Sequence, residues 1–172
     1  MTAMRRIYLA GPLFGIADRH HNLLLARELE RFGYEVVLPQ KEALRFLNGH
    51  SLDLKGLSED CKRQSMESDV VVANIDGADV DAGTAVEVGM ALAGASFATQ
   101  NRPKVICVRT DFRTDPEQEI GINSMFGLVD KVIYIPAFVS TFAEVANLYR
   151  NLANEIDTVI KKLTVRDGTE LS

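Results

Sequence analysis

Apolar residues along this chain fall into two spacings. Short, nearly unbroken apolar runs occupy positions 6–10, 34–38, 70–75, 103–109 and 131–135, mostly bounded by Gly, Pro or Asp. Runs of this length and composition read as strands buried on both faces of a sheet. The stretches between them carry apolar residues at helical spacing. Over 19–32, Leu25, Leu29 and Phe32 share one face, with Asp18 available as an N-cap and Gly33 as a C-terminal stop. Leu44 and Leu47 predict a further helix that ends near Gly49, and 50–56 reads as loop. One helix over 57–68 leads into the run at 70–75, and another over 84–95 follows it. From Thr141 onward, Phe142, Val145, Tyr149, Leu152, Ile156, Val159 and Leu163 alternate spacings of three and four, and Ala146, Ala153 and Ile160 widen the stripe. This predicts one long helix packed on the sheet, a position also compatible with a share in a subunit interface. The chain from Arg166 reads as a frayed tail.

Strands that alternate with helices imply a parallel sheet covered on both faces. The predicted fold is therefore α/β, a three-layer sandwich with a five-stranded parallel sheet of flavodoxin-like or Rossmann-like type, in the order 2-1-3-4-5. A single domain over 1–165 accounts for the pattern, with 166–172 outside it. Gly11-Pro12 closes the first strand as a turn. No Gly-x-Gly-x-x-Gly follows that strand, so the dinucleotide fingerprint is absent. Residues 110–122 form a polar loop of unusual length, which points to function or mobility.

Composition narrows the function classes. The 172 residues are 47% hydrophobic and 25% charged, ordinary for a globular chain, and the net charge of −5 with no Lys/Arg cluster argues against a nucleic-acid polymer as partner. Cys61 and Cys107 fit no metal spacing, and His20, His21 and His50 form no ligand cluster, so neither metal nor organic cofactor is expected. Arg5 and Arg6 precede a short strand rather than a long apolar core, and no run reaches membrane-spanning length. The expected setting is cytoplasmic, without membrane attachment.

The chemistry concentrates at 69–95. The run at 70–75 gives way to a turn with Asp76, Asp79 and Asp81, and Glu87 then interrupts an apolar, small-residue helix. In a parallel sheet this turn lies at the carboxyl edge, where open α/β sheets bind ligands. A helix start favours anions, so Glu87 is expected to stay ionised and could serve as a nucleophile toward an oxocarbenium-like centre. Asp81 could then hold sugar hydroxyls or move protons. Gly83 and Gly89 would let a ligand or a neighbouring backbone come close. The plainer alternative makes Asp81 an N-cap and Glu87 a dipole partner of its helix. Tyr8, on the adjacent predicted strand, could reach Glu87 or simply fill the core.

These residues resemble the nucleoside 2-deoxyribosyltransferase family. The likeness rests on Ile-Tyr-Leu-Ala-Gly-Pro-Leu-Phe at 7–14, Asp-Val-Val-Val-Ala-Asn-Ile-Asp-Gly at 69–77, Asp-Ala-Gly-Thr-Ala-Val-Glu-Val-Gly at 81–89 and Ile-Asn-Ser-Met at 122–125. The resemblance implies cleavage of the N-glycosidic bond of nucleosides or nucleoside monophosphates, with transfer to another base or to water. It implies Glu87 as the nucleophile on C1′, Tyr8 as its hydrogen-bonding partner, and Asp81 as a sugar ligand on the 5′ side. Gly11 and Pro12 would shape the loop under the base. Asn123 would reach the neighbouring subunit's site, with Met125 lining it, so a homodimer or higher even oligomer with shared active sites is implied. For the phosphate of a monophosphate, Arg109, Arg113 and Ser124 are candidates, and the two arginines read equally as solvated loop charges.

One position departs from the family pattern. Members often carry a carboxylate or amide eight residues before the Asp that opens the central strand; counting back from Asp69 gives Cys61. Asp60 is adjacent and is the substitute candidate, although one residue turns a helical side chain by about 100°. Two further readings remain open: a nucleotide-binding or sensing module with little turnover, which Cys61 favours, and a purely structural flavodoxin-like domain, which the Asp81, Glu87 and Asn123 combination opposes.

Overall fold

The computed structural model describes residues 6–97, 102–113 and 122–169. In chain order its elements are β1 (Arg6–Ala10), α1 (Ile16–Glu30), β2 (Glu35–Val37), α2 (Pro39–Glu42), β3 (Leu47–Asn48), β4 (Ser51–Leu52), α3 (Leu54–Glu67), β5 (Val70–Asn74), α4 (Ala82–Phe97), β6 (Lys104–Arg109), β7 (Lys131–Tyr134) and α5 (Phe142–Thr169). Two 3-10 turns, Ala43–Phe46 and Ser124–Leu128, complete the set. The apolar runs form one five-stranded sheet in the order β2-β1-β5-β6-β7, parallel throughout. With the small β3-β4 hairpin set aside, this is the expected order 2-1-3-4-5. Among the described residues, no helix is long and apolar enough to cross a membrane.

Alternation along the strands divides the core into two layers. Ile7, Leu9, Val70, Val72, Ile106, Val108 and Ile133 meet Leu25 and Leu29 of α1 and Leu152, Ile156 and Ile160 of α5. Tyr8, Ala10, Val71, Ala73, Val105 and Cys107 face the opposite side, where Val88 and Ala91 of α4 cover them and Cys61 of α3 packs at the margin. Register aligns Tyr8 with Val71 and Ala10 with Ala73. Tyr8 therefore lies on the face covered by α3 and α4, the side from which Glu87 can approach.

The structure corrects several local expectations. Helix α1 begins at Ile16, because the Asp18 carboxylate accepts from the Gly15 N–H at 2.8 Å and closes a turn ahead of the expected cap. The helix ends at Glu30, so Phe32 leaves the apolar face and stands 42% exposed. Gly33 follows with a positive φ of 86°, the conformation a glycine adopts without penalty. The predicted helix carrying Leu44 and Leu47 is instead a short α2, a 3-10 turn and a hairpin that reverses at Gly49, leaving both leucines exposed. The expected loop 50–56 holds β4 and the first turn of α3, which starts early because Asp53 caps it through the Gly56 N–H at 3.0 Å. In α5, Leu152, Ala153, Ile156 and Ile160 are buried, but Phe142 sits at the first turn and is 95% exposed. That helix runs on to Thr169. Of the predicted loop 110–122, residues 114–121 lie outside the described set.

Candidate active site

The carboxyl edge of β1 and β5 assembles the site. Tyr8 projects from β1 beneath α4, and its hydroxyl donates to Glu87 Oε1 at 2.6 Å. Tyr8 is 1% exposed and Glu87 is half-buried. Burial pushes the Glu87 carboxyl up to about 7; the Tyr8 hydrogen bond opposes that rise and the neighbouring Asp81 carboxylate adds to it. This revises the expectation of a carboxylate held ionised by the helix start. Glu87 is in the second turn of α4, counting from Ala82, and dipole effects fade beyond the first turn. Burial also drives the Tyr8 phenol well above its ordinary range, with Glu87 reinforcing the shift. The phenol therefore stays protonated and serves Glu87 as a fixed donor.

Replacing Tyr8 with Phe should accordingly raise the Glu87 pKa above 7, since the lost bond is one that lowers it and the burial remains. Titration of carbon-13-labelled glutamate by NMR reads the shift. An unchanged or lowered value would show that the bond does not stabilise the ionised carboxylate.

Asp81 stands at the helix mouth, where its Oδ2 accepts from the Thr84 N–H at 2.9 Å and the Thr84 hydroxyl at 3.1 Å. It is thus an N-cap, and it also lies close enough to Glu87 to influence its titration. Gly83 is exposed beside it; a Cβ there would meet Asp81 Oδ2 at 3.2 Å. At Gly11 a Cβ would come within 3.2 Å of Asn22 Oδ1, so the turn after β1 runs tight against α1.

That turn is pinned by residues the sequence reading did not single out. Asn22, 3% exposed, donates from Nδ2 to the Pro12 carbonyl at 2.9 Å and to Gln40 Oε1 at 3.2 Å. Arg19 Nη1 donates to the carbonyls of Leu13 at 3.0 Å and Phe14 at 2.7 Å. The one signal for Asn22 was a polar residue at helical spacing from Leu25, Ala26 and Leu29.

Asp60 is engaged by basic side chains. It is 9% exposed and is held by Arg63 and, at 3.3 Å, by Arg45, with Gln64 nearby. Cys61 instead packs on the cluster that contains Tyr8. Burial pushes its thiol up, the Tyr8 hydroxyl counteracts, and the Glu87 carboxylate adds to the rise.

Asn123 caps the turn Ser124–Leu128 by accepting from the Met125 N–H at 2.9 Å. Asn123 and Met125 line a cavity of about 430 Å³ against Ala85, Val88, Gly89 and Leu92 of α4. Glu87 and Tyr8 are not among the residues that line it. Of the two arginines, Arg113 is exposed, as a solvated loop charge would be, whereas Arg109 is not. Arg109 is 2% exposed, and its Nη1 donates to the carbonyls of Ile75 at 2.8 Å and Gly77 at 3.1 Å. Arg113 is engaged by Asp111. Ser124 is exposed. Asp76, read as a turn residue, accepts from the Thr110 N–H and hydroxyl at 2.6 Å each and from the Asp111 N–H at 2.8 Å, locking the exits of β5 and β6 together. Among the described residues, no group of three His, Cys, Asp or Glu side chains is arranged to hold a metal.

A flavodoxin-like sandwich with a tyrosine-bound carboxylate at the carboxyl edge of its sheet is the class that fold and site define. The sequence profile of the family described as nucleoside 2-deoxyribosyltransferase matches residues 7–148, and the chain belongs to that family. Among solved structures, a conserved protein from Enterococcus faecalis V583 is similar at 26% identity and a TM-score of 0.62, covering 87% of this chain and 99% of that one. The 2-deoxyribosyltransferase of Bacillus psychrosaccharolyticus is 21% identical, with a TM-score of 0.56 over 83% of this chain and 90% of its own. The CMP N-glycosidase of Clostridium botulinum is 18% identical, with a TM-score of 0.51 over 90% of this chain and 99% of its own. The last two likenesses show a common fold. No curated protein matches the chain significantly.

Proposed function

We propose that this chain cleaves the N-glycosidic bond of nucleosides in two steps through a glycosyl ester on Glu87. The observation that carries the reading is the 2.6 Å bond from Tyr8 to a half-buried carboxylate at the sheet's carboxyl edge. In the first step Glu87 attacks C1′ and the bond to the base breaks. In the second, water or another base attacks C1′ and frees the carboxylate, so the anomeric configuration is retained overall. Tyr8 holds one oxygen of the carboxylate and so orients the other for attack. Asp81, anchored by Thr84, receives the sugar on its 5′ side, and Gly11, Pro12 and Gly83 give the substrate room.

Nucleosides are favoured over their monophosphates. The guanidinium of Arg109 is committed to main-chain carbonyls, Arg113 is committed to Asp111, and the Asp81 carboxylate would repel a phosphate. Asn123 and Met125, which line a cavity without Glu87 in their own chain, are assigned to the site of a second copy, as the family resemblance implies. Asp60 is left without a direct role toward the base.

Incubation with a 2-fluoro-2-deoxy nucleoside tests the two-step route. Fluorine disfavours the oxocarbenium-like transition states and slows breakdown of the ester. Mass spectrometry of the digested protein should find one fluorosugar on the peptide containing Glu87. Base release with no adduct on any peptide, even after rapid acid quenching, would overturn the covalent step.

A further inference from the structure

We propose that Cys61 makes this site selective for nucleosides whose base departs without needing a proton, N-alkylated cationic purines above all. The proposal rests on the Glu87 reading above and deepens it to a substrate class.

When the bond from C1′ to the base breaks, both electrons go to the base nitrogen. An ordinary base then leaves as an anion unless an acid protonates it, and positioned acids are worth about 10²–10⁴-fold in rate. A base that already carries positive charge takes the same electrons and leaves neutral. The need for an acid therefore separates the two classes of substrate.

The groups around Glu87 supply no such acid among the described residues. The Tyr8 proton is committed to Glu87 at 2.6 Å. Asp81 accepts two hydrogen bonds from Thr84 and is engaged as the cap at the helix mouth. Asp60 is buried, and both of its carboxylate oxygens are engaged by the guanidinium groups of Arg45 and Arg63. What α3 presents beside Tyr8 is the thiol of Cys61, half-buried on the apolar cluster. A thiol is a weak hydrogen-bond donor and an apolar surface. It suits the face or an alkyl group of a purine better than a ring nitrogen that must be protonated.

The step balances without a further reactant. A Glu87 oxygen bonds to C1′, the bond to the base breaks, and its electron pair cancels the ring's positive charge. Water then bonds to C1′, the ester oxygen leaves as the Glu87 carboxylate, and the water's proton passes to solvent.

The test compares 7-methylguanosine with guanosine, and the corresponding 2′-deoxy pair, following free base by chromatography at pH 6.5, where 7-methylguanosine is still largely cationic, with uncatalysed release subtracted. The unaltered protein should release 7-methylguanine at least ~100-fold faster than guanine. Cys61→Asp places a carboxyl beside Glu87, where burial and the like charge keep it protonated. It should speed guanine release at least ~10-fold and leave 7-methylguanine within about threefold, compressing the ratio. Cys61→Asn, a neutral donor, should compress the ratio in the same direction and guards against a misfolded Asp variant; melting curves compare all three proteins. Equal release of the two bases by the unaltered protein, or a ratio that neither variant moves, would overturn the role of Cys61 alone. Release of neither base would overturn the substrate class proposed here, while the fluorosugar adduct on Glu87 decides the Glu87 reading separately.

Discussion

Glu87→Gln is expected to abolish base release and at the same time raise the melting temperature at pH 8. The amide keeps the shape of the side chain and can still meet the Tyr8 hydroxyl, but it has no charge with which to attack C1′. Loss of a nucleophile costs on the order of 10⁴-fold or more in turnover. The stability effect has the opposite sign. Burial raises the carboxyl from 4.5 in the unfolded chain to about 7 in the folded one. The folded state therefore binds more protons between those values. The stabilising contribution of the protonated group is fully present below about pH 4.5 and is lost as pH rises through about 7. Above that, the protein holds a partly buried charge that glutamine removes. Allowing for solvent at this half-buried position, the gain is on the order of 1–3 kcal/mol at pH 8, and it shrinks toward zero on acidification. Thermal melts at pH 5 and pH 8 read the difference, and kcat of the unaltered protein should climb with an apparent pKa near 7 as the nucleophile ionises. A variant that keeps its turnover, or that is destabilised at pH 8, would remove Glu87 from this role.

The second large effect is expected at Arg109. Its guanidinium is buried between the ends of β5 and β6 and serves the carbonyls of Ile75 and Gly77. Asp111 lies 4.0 Å from it and itself accepts from the Gly77 N–H at 3.1 Å, while Asp76 ties the same turn to Thr110. Arg109→Met fills most of the volume but strands two carbonyls and leaves the Asp111 carboxylate short of a cation. Breaking a buried ionic and hydrogen-bonded group from one side costs about 3–5 kcal/mol. For a domain of this size the melting temperature should fall by about 10 °C. Turnover should fall as well, because the Ile75–Gly77 segment leads into Asp81 and the mouth of α4. Arg109→Lys should recover only part of the loss, since an ammonium cannot span both carbonyls as the planar fork does. A melting temperature within a degree or two of the unaltered protein would show that the turn holds without the guanidinium.

The strands and the long helices were legible along the chain because each is specified by its own residues. Val70, Val71, Val72 and Ala73 are buried on both faces of the sheet, and an unbroken apolar run is the form that takes in sequence. Leu152, Ile156 and Ile160 repeat at helical spacing because one side of α5 lies on the sheet. The segment 39–56 was not legible for the converse reason. Its turns are short, its leucines at 44 and 47 remain exposed, and its hairpin is two residues a side, so no periodicity could accumulate. Phe32 and Phe142 misled because an apolar residue one turn beyond a buried stripe carries no mark of where the helix ends or which turn packs.

The sequence by itself determined the strands, their parallel arrangement and the place of the acidic turn at the sheet's carboxyl edge, while the order of the strands is fixed by the tertiary structure. Those depend on patterns of period two and 3.6 and on connections that are short and of one hand, all of them local. The tertiary structure alone decided the chemistry of the side chains. Tyr8 and Glu87 are 79 positions apart, and only the register of β1 on β5 with α4 above them sets the hydroxyl 2.6 Å from the carboxylate. Burial, which is a property of the whole packed layer, then lifts Glu87 to about 7, where a helix start read from sequence alone suggested a carboxylate that tends to stay ionised. Arg109 and Asp60 looked like groups open to a ligand until packing committed one to main-chain carbonyls and the other to arginines. Charges in a sequence have no partners; folding supplies the partners, and the partners decide which charges are left to act.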